Sequence, residues 1–156
     1  MKNKVIRFGD GLPTLLDYGK RSWNLNEKYI IEFYPNFTTS VLLISAENSL
    51  LQTHLDEISN NTEPISLDLE WEEEICLFQF CTSKGCLIIR HLRGPGNSVL
   101  RSFLENHSFY GKGNYNDLQK LTEKFGDDFK IDLEDIERTR LIPNGYSTNF
   151  IKMSEQ

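Results

Sequence analysis

Asp68 and Glu70 are the two residues whose type and spacing best suit them to chemistry. They stand two apart in ISLDLEW (65–71), where apolar and polar residues alternate as in a β-strand. Side chains at i and i+2 share a face, so these carboxylates have Cα atoms about 7 Å apart. Ile65, Leu67 and Leu69 line the opposite face. Two acids on one face are costly unless water or cations compensate them. A hard divalent ion such as Mg²⁺ or Mn²⁺ is one such partner, because it prefers carboxylate and water oxygens. On spacing alone, a strand whose outer face simply meets water is the favoured reading. Asp117 lies three residues after Asn114, a good N-cap type, in the first turn of an expected helix. An acid there favours the helix dipole and helps to cap it. Spacing alone assigns it nothing more.

Other reactive side chains form no constellation. Cys76, Cys81 and Cys86 recur every five residues, without CxxC pairs or clustered histidines. The expectation is small buried thiols on adjacent strands in a reducing compartment, with neither a disulfide framework nor a zinc site. His54, His91 and His107 are scattered, which gives no support to a nucleophilic triad. The formal charge of −6 argues against a protein that coats nucleic acid nonspecifically. It leaves open a nuclease that gathers acids around metal ions.

At 156 residues with 38% hydrophobic content, the chain suits one folded domain. No stretch approaches the roughly 20 apolar residues of a spanning helix. The N-terminus lacks an apolar core and cleavage site, so a secretory signal and membrane attachment are not expected. An intracellular location is, nuclear or cytoplasmic.

The elements that must hold the acids can be read from periodicity. KYIIEFY (28–34) and VLLIS (41–45) read as strands, the first broken by Pro35-Asn36. A helix is expected over 48–58, from the spacing of Leu50, Leu51, Leu55 and Ile58. ISLDLEW, ICLFQFC (75–81) and CLIIRHL (86–92) then form three strands with tight turns, an antiparallel meander. A helix over 97–106, a short strand at 108–111 and a helix over 114–126 follow. Residues 130–141 begin as a strand and turn helical, and a last helix starts near Ser147. A meander followed by alternating helices and strands is an α/β pattern with a mixed sheet. Residues 1–40 carry no clear assignment, and 41–156 form one domain.

Asp68, Glu70, Trp71 and Gln79, in DLEW followed by ICLFQFCTSKGCLIIRHL, resemble the first motif and meander of the DEDD 3′–5′ exonucleases. The similarity is greatest to the Werner-type branch. FYGKGNYNDLQKL (109–121) resembles the second motif, placing Asp117, Lys120 and Leu121, and IDLEDIERTRLIPNGYSTNF resembles the segment that follows. The resemblance runs from about residue 41 to 156. It implies a ribonuclease H-like fold and two-metal hydrolysis of DNA or RNA from the 3′ end, with Mg²⁺ or Mn²⁺. It also implies that Asp68 bridges the ions, Glu70 holds one, and Asp117 supports the other. Leu69 and Trp71 would lie near the 3′-terminal nucleotide, with Trp71 equally suited to anchor the core. Lys112, Lys120 and Arg90 are candidate phosphate contacts, though each also suits a solvated surface.

The family's third motif, a tyrosine or histidine ahead of a final aspartate on a later helix, has no counterpart before Gln156. The resemblance thus implies a C-terminally truncated domain with a weakened metal site and a face that a protein partner would cover. The alternatives are a non-catalytic nucleic-acid- or protein-binding module of the same fold, and a plain α/β domain with surface acids.

Overall fold

The alternation in ISLDLEW is realised literally: Ile65, Leu67 and Leu69 are buried, while Ser66, Asp68 and Glu70 are exposed. This strand lies inside a large sheet. The computed structural model describes residues 4–8, 25–33, 37–60, 63–91 and 96–136. Among these are eight strands, β1 Lys4–Phe8, β2 Glu27–Phe33, β3 Phe37–Ser45, β4 Ile65–Trp71, β5 Ile75–Thr82, β6 Gly85–Arg90, β7 Ser108–Gly111 and β8 Asp132–Asp135. Three helices join them, α1 Leu51–Ser59, α2 Ser98–Asn106 and α3 Tyr115–Phe125. The expected helices after residue 136, and the Pro35-Asn36 break, lie outside the described residues.

The strands form one open mixed sheet in the order β1-β2-β3-β6-β5-β4-β7-β8. β4, β5 and β6 are the expected antiparallel meander, with Asp68 opposite Gln79 and Gln79 opposite Ile88. β7 and β8 extend the sheet in parallel on the side of β4. On the other side β3 runs parallel to β6, β2 antiparallel to β3, and β1 parallel to β2. Residues 4–8 and 27–33 thus belong to the same sheet as the meander. Such short alternating runs carry too little periodicity to reveal their partners.

Aromatic side chains make the core. Phe78, Phe80 and Phe109 are fully buried. Phe80 meets the ring of Phe103 edge-on at 5.3 Å and that of Phe109 at 5.7 Å, geometries favoured by the ring quadrupole. α2 is fixed at its start by Asn97, which accepts from the Leu100 N–H at 3.0 Å and donates to the Ala46 carbonyl at 2.8 Å. α1 begins three residues later than its hydrophobic spacing suggests. Asn48 folds its side chain onto the Leu50 N–H at 2.8 Å, a local turn that competes with helix.

The cysteines depart from expectation. Cys81 and Cys86 are directly opposite in the β5–β6 register and are joined as a disulfide, with Cα atoms 4.1 Å apart; Cys76 stays free and half-buried. The two-residue turn Ser83-Lys84 converts a spacing of five into a cross-strand pair, where Cβ atoms approach most closely. An argument from the count of cysteines does not see that register.

Phe80→Ala should remove about 3–5 kcal/mol of unfolding free energy in urea titrations. A loss below about 1 kcal/mol, the range of surface substitutions, would contradict the aromatic core described here.

Candidate active site

Asp117 is the residue the sequence reads least well, and the fold treats it in the most unusual way. On α3 it stands four residues before Leu121 and eight before Phe125, and these three are the buried residues of the helix. Side chains four apart share a helix face. The carboxylate therefore occupies the first position of the stripe that faces the core. Asp117 is only 6% exposed.

Two contacts hold α3 in place. Phe125 packs against Phe78 of β5, with ring centroids 6.4 Å apart. Lys120 donates from Nζ to the Glu73 carbonyl at 3.0 Å and pairs with Glu123 at 3.3 Å. Glu73 lies in the turn between β4 and β5, so Lys120 ties the helix to the chain just beyond Glu70. The β4–β5 register also shifts between Glu70 and Trp71. Such bulges bend a strand and redirect its side chains, and they recur beside functional sites.

The result is an electrostatic cluster. The Asp117 carboxyl is pushed up from 3.8 to about 6, first by burial, then by the negative charges of Asp68 and Glu70. Both effects disfavour the ionised form. Asp68 and Glu70 are themselves exposed on one face of β4. Among the described residues no three side chains of histidine, cysteine, aspartate or glutamate are gathered closely enough to hold an ion. The acids feel one another without forming a preassembled cage. Their donor type nevertheless fits a hard divalent cation, which would offset the repulsion that holds Asp117 partly protonated. Glu70 and Asp68 are exposed, and Asp68 Oδ1 accepts from the Leu69 N–H at 3.1 Å.

The other sequence candidates divide. Lys112 lines a cavity of about 220 Å³ together with Asp68, Tyr110 and Gly111. Trp71 is half-buried and packs against the core cluster. Leu69 is 3% exposed within that core, on the face opposite Asp68 and Glu70. Lys120 is engaged with Glu73 and Glu123 as described, and Arg90 lies exposed at the end of β6. A larger hollow of about 520 Å³ lies between α1 and the β5–β6 turn and contains none of the three acids. Size alone does not make it the site.

Two features escaped the sequence reading. Tyr115, at the first helical position of α3, is 69% exposed and accepts a hydrogen bond from Gln119 Nε2 at 3.1 Å. Asn114 does not cap α3 with its side chain, as its type suggests, but is 2% exposed. The glycines of GKGN (111–114) were the available signal, since glycine marks places where backbone and side chains crowd.

No protein-family model matches this chain, and no curated protein matches it in sequence. Solved structures do. The EXD2 exonuclease domain soaked in Mn and GMP superposes with a TM-score of 0.51 and 21% identity, covering 69% of this chain and 64% of that one. The same domain soaked in Mg and dGMP gives the same values. The Aedes aegypti Nibbler EXO domain, at TM-score 0.49 and 16% identity, covers 68% of this chain and 60% of its own.

The fold is shared with the EXD2 exonuclease domain.

It is the ribonuclease H-like α/β arrangement that the Asp-x-Glu-Trp strand and its meander imply, and the chain spans somewhat under two-thirds of the EXD2 domain's length. Within this fold Asp117 on α3 lies in the electrostatic field of Asp68 and Glu70 on β4.

A raised acid pKa has a definite sign in stability. Between about pH 4 and 6 the folded chain keeps a proton on Asp117 that the unfolded chain has lost, so stability falls as pH rises through that window. The cost at neutral pH is on the order of 2–3 kcal/mol. In EDTA, Asp117→Asn should therefore melt higher than the parent at pH 7.5, with the difference vanishing near pH 4. Mn²⁺ should raise the parent's melting point more at pH 7.5 than at pH 5. Equal melting curves for parent and Asp117→Asn at pH 7.5 would contradict the electrostatic cluster.

Proposed function

We propose that this chain is a 3′–5′ exonuclease-type domain that hydrolyses phosphodiester bonds at the 3′ end of DNA or RNA with divalent metal ions. The observation that carries the reading is Asp117: a carboxylate on the core-facing stripe of α3, within the field of Asp68 and Glu70, in an exonuclease fold. A purely structural helix would place an apolar residue there, as it does at Leu121 and Phe125. That the EXD2 exonuclease domain was soaked with Mn and GMP, and with Mg and dGMP, supports divalent ions and nucleotides as the ligands of this fold.

The residues then take distinct tasks. On this reading Asp68, central on β4, would bridge the ions, Glu70 would hold one of them, and Asp117 would support the other. When bound, Mg²⁺ or Mn²⁺ supplies a water activated for in-line attack and neutralises charge on the phosphate. Asp117 holds a proton on its carboxyl at mildly acid pH and releases it as the site becomes positively charged. Lys112, beside Asp68, offers a cation to a phosphate. Trp71, next to Glu70 at the end of β4, would offer aromatic surface on which a terminal base stacks.

One observation favours a second reading, a binding module of this fold without turnover: the acids are not gathered into an ion cage among the described residues. Strand shortening separates the two. A single strand labelled at its 5′ end should be trimmed from the 3′ end in Mn²⁺ or Mg²⁺ and left intact in EDTA. Asp68→Ala should abolish trimming. Binding of the strand without any metal-dependent shortening would favour the module, and trimming that survives Asp68→Ala would refute this site.

A further inference from the structure

β4 and β7 pair for only two steps, Ile65 with Phe109 and Ser66 with Tyr110. The next two residues, Leu67 and Gly111, are where the strands part. Asn114 fills this fork. A Cβ built on Gly111 would collide with the Asn114 amide oxygen, and it would stand 3.0 Å from the Leu67 carbonyl and 3.2 Å from Asn114 Cγ. The three groups therefore share one small space, which is open only because position 111 has no side chain.

The occupant is an expensive one. Asn114 is 2% exposed, and among the described residues neither its Nδ2 nor its Oδ1 has a hydrogen-bond partner. Burying an unpaired amide costs more than burying an apolar side chain of the same size. The two ends of an amide exchange by a half-turn, which sets Nδ2–H on the side of the Leu67 carbonyl, an acceptor. The loop that carries Asn114 is also held from outside. Its backbone N–H faces Asp135 Oδ2 at 3.5 Å, and the Ile136 N–H donates to the Gly111 carbonyl at 2.9 Å. Gly113, with φ of 63°, makes the turn between the two.

We infer that Asn114 is a positioning residue whose carboxamide wedges the end of the β4–β7 pair and thereby sets how far the first turn of α3 stands from Asp68. Leu67 immediately precedes Asp68, and Asn114 lies three residues before Asp117. A change in the wedge thus alters the gap between carboxylates on two different elements. The consequence for ion binding rests on the exonuclease reading; the wedge itself does not.

Two sets of measurements test it. Asn114→Leu and Asn114→Ser are compared with the parent for Mn²⁺ binding by calorimetry, single-strand binding in Ca²⁺, and steady-state trimming. The expected result is a folded variant with unchanged strand binding, a Mn²⁺ dissociation constant raised about tenfold or more, and a fall in kcat with little change in KM. If the leucine variant does not fold, the serine variant carries the comparison. Parental Mn²⁺ affinity in a folded variant overturns the positioning role. The second set measures thermal unfolding of Gly111→Ala, alone and combined with Asn114→Ser. A shared space predicts a smaller loss in the combination than the two single losses imply, and simple additivity overturns the wedge. A parent that binds no Mn²⁺ refutes the exonuclease reading, and the Gly111 cycle then still decides the wedge.

Discussion

Burial of the Asp117 carboxyl beside two other acids is the constraint around which this part of the molecule is built. Asp68 and Glu70 project from one face of β4, and Asp117 is carried toward them by a helix whose other inward residues are apolar. Burial of Leu121 and Phe125 is favourable by about 1.5–3 kcal/mol each, and that gain holds α3 down. Asp117 is then held at the boundary of the core, where ionisation is disfavoured by desolvation and by its neighbours. Hydrophobic packing supplies the free energy that keeps like charges together. Packing and charge thus oppose each other at one residue.

Much of this frame was legible in the chain. Strict alternation in ISLDLEW announces a half-buried strand and places both acids on its outer face, and the structure agrees residue by residue. The meander, α2, β7 and α3 follow from apolar runs and helical spacing bounded by turn residues. The resemblance to exonucleases rests on the same residues that the fold then arranges. What stayed hidden depends on contacts distant in sequence. Asp117 could be read as a dipole-stabilising acid only while its helix had no neighbour. Set on the stripe with Leu121 and Phe125, it is a core position held by a charge.

Other differences have the same origin. Leu69 lies between two acids in sequence, yet the strand's period of two sends it into the core. Cys81 and Cys86 are neighbours across a hairpin, a relation set by register that cysteine spacing does not encode. β2 shows no sign in its own sequence that it joins the sheet through β3, because a strand's partner is chosen by the whole sheet. Asn114 is of the type that caps helices in isolation. Here the fork between β4 and β7 recruits its side chain, and the cap bond is given up.

Asn114, Asp117 and Lys120 are spaced by three along α3, and each addresses a different level of β4. The first lies against the fork beside Leu67, the second within the field of Asp68 and Glu70, and the third on the Glu73 carbonyl just past the end of the strand. Residues three apart on a helix fall on one side of it, so a single ridge of α3 runs along β4 with a fixing contact before and after the acid. Both add to the apolar anchorage of Leu121 and Phe125. Together they restrict both the tilt and the slide of α3 against the strand, the two motions that would change the separation of Asp117 from Asp68. Catalytic constellations require such rigid support, since small displacements cost large factors in rate. The polar positions of this helix are therefore best understood as a set: a wedge, an acid and a tether, each incomplete without the other two.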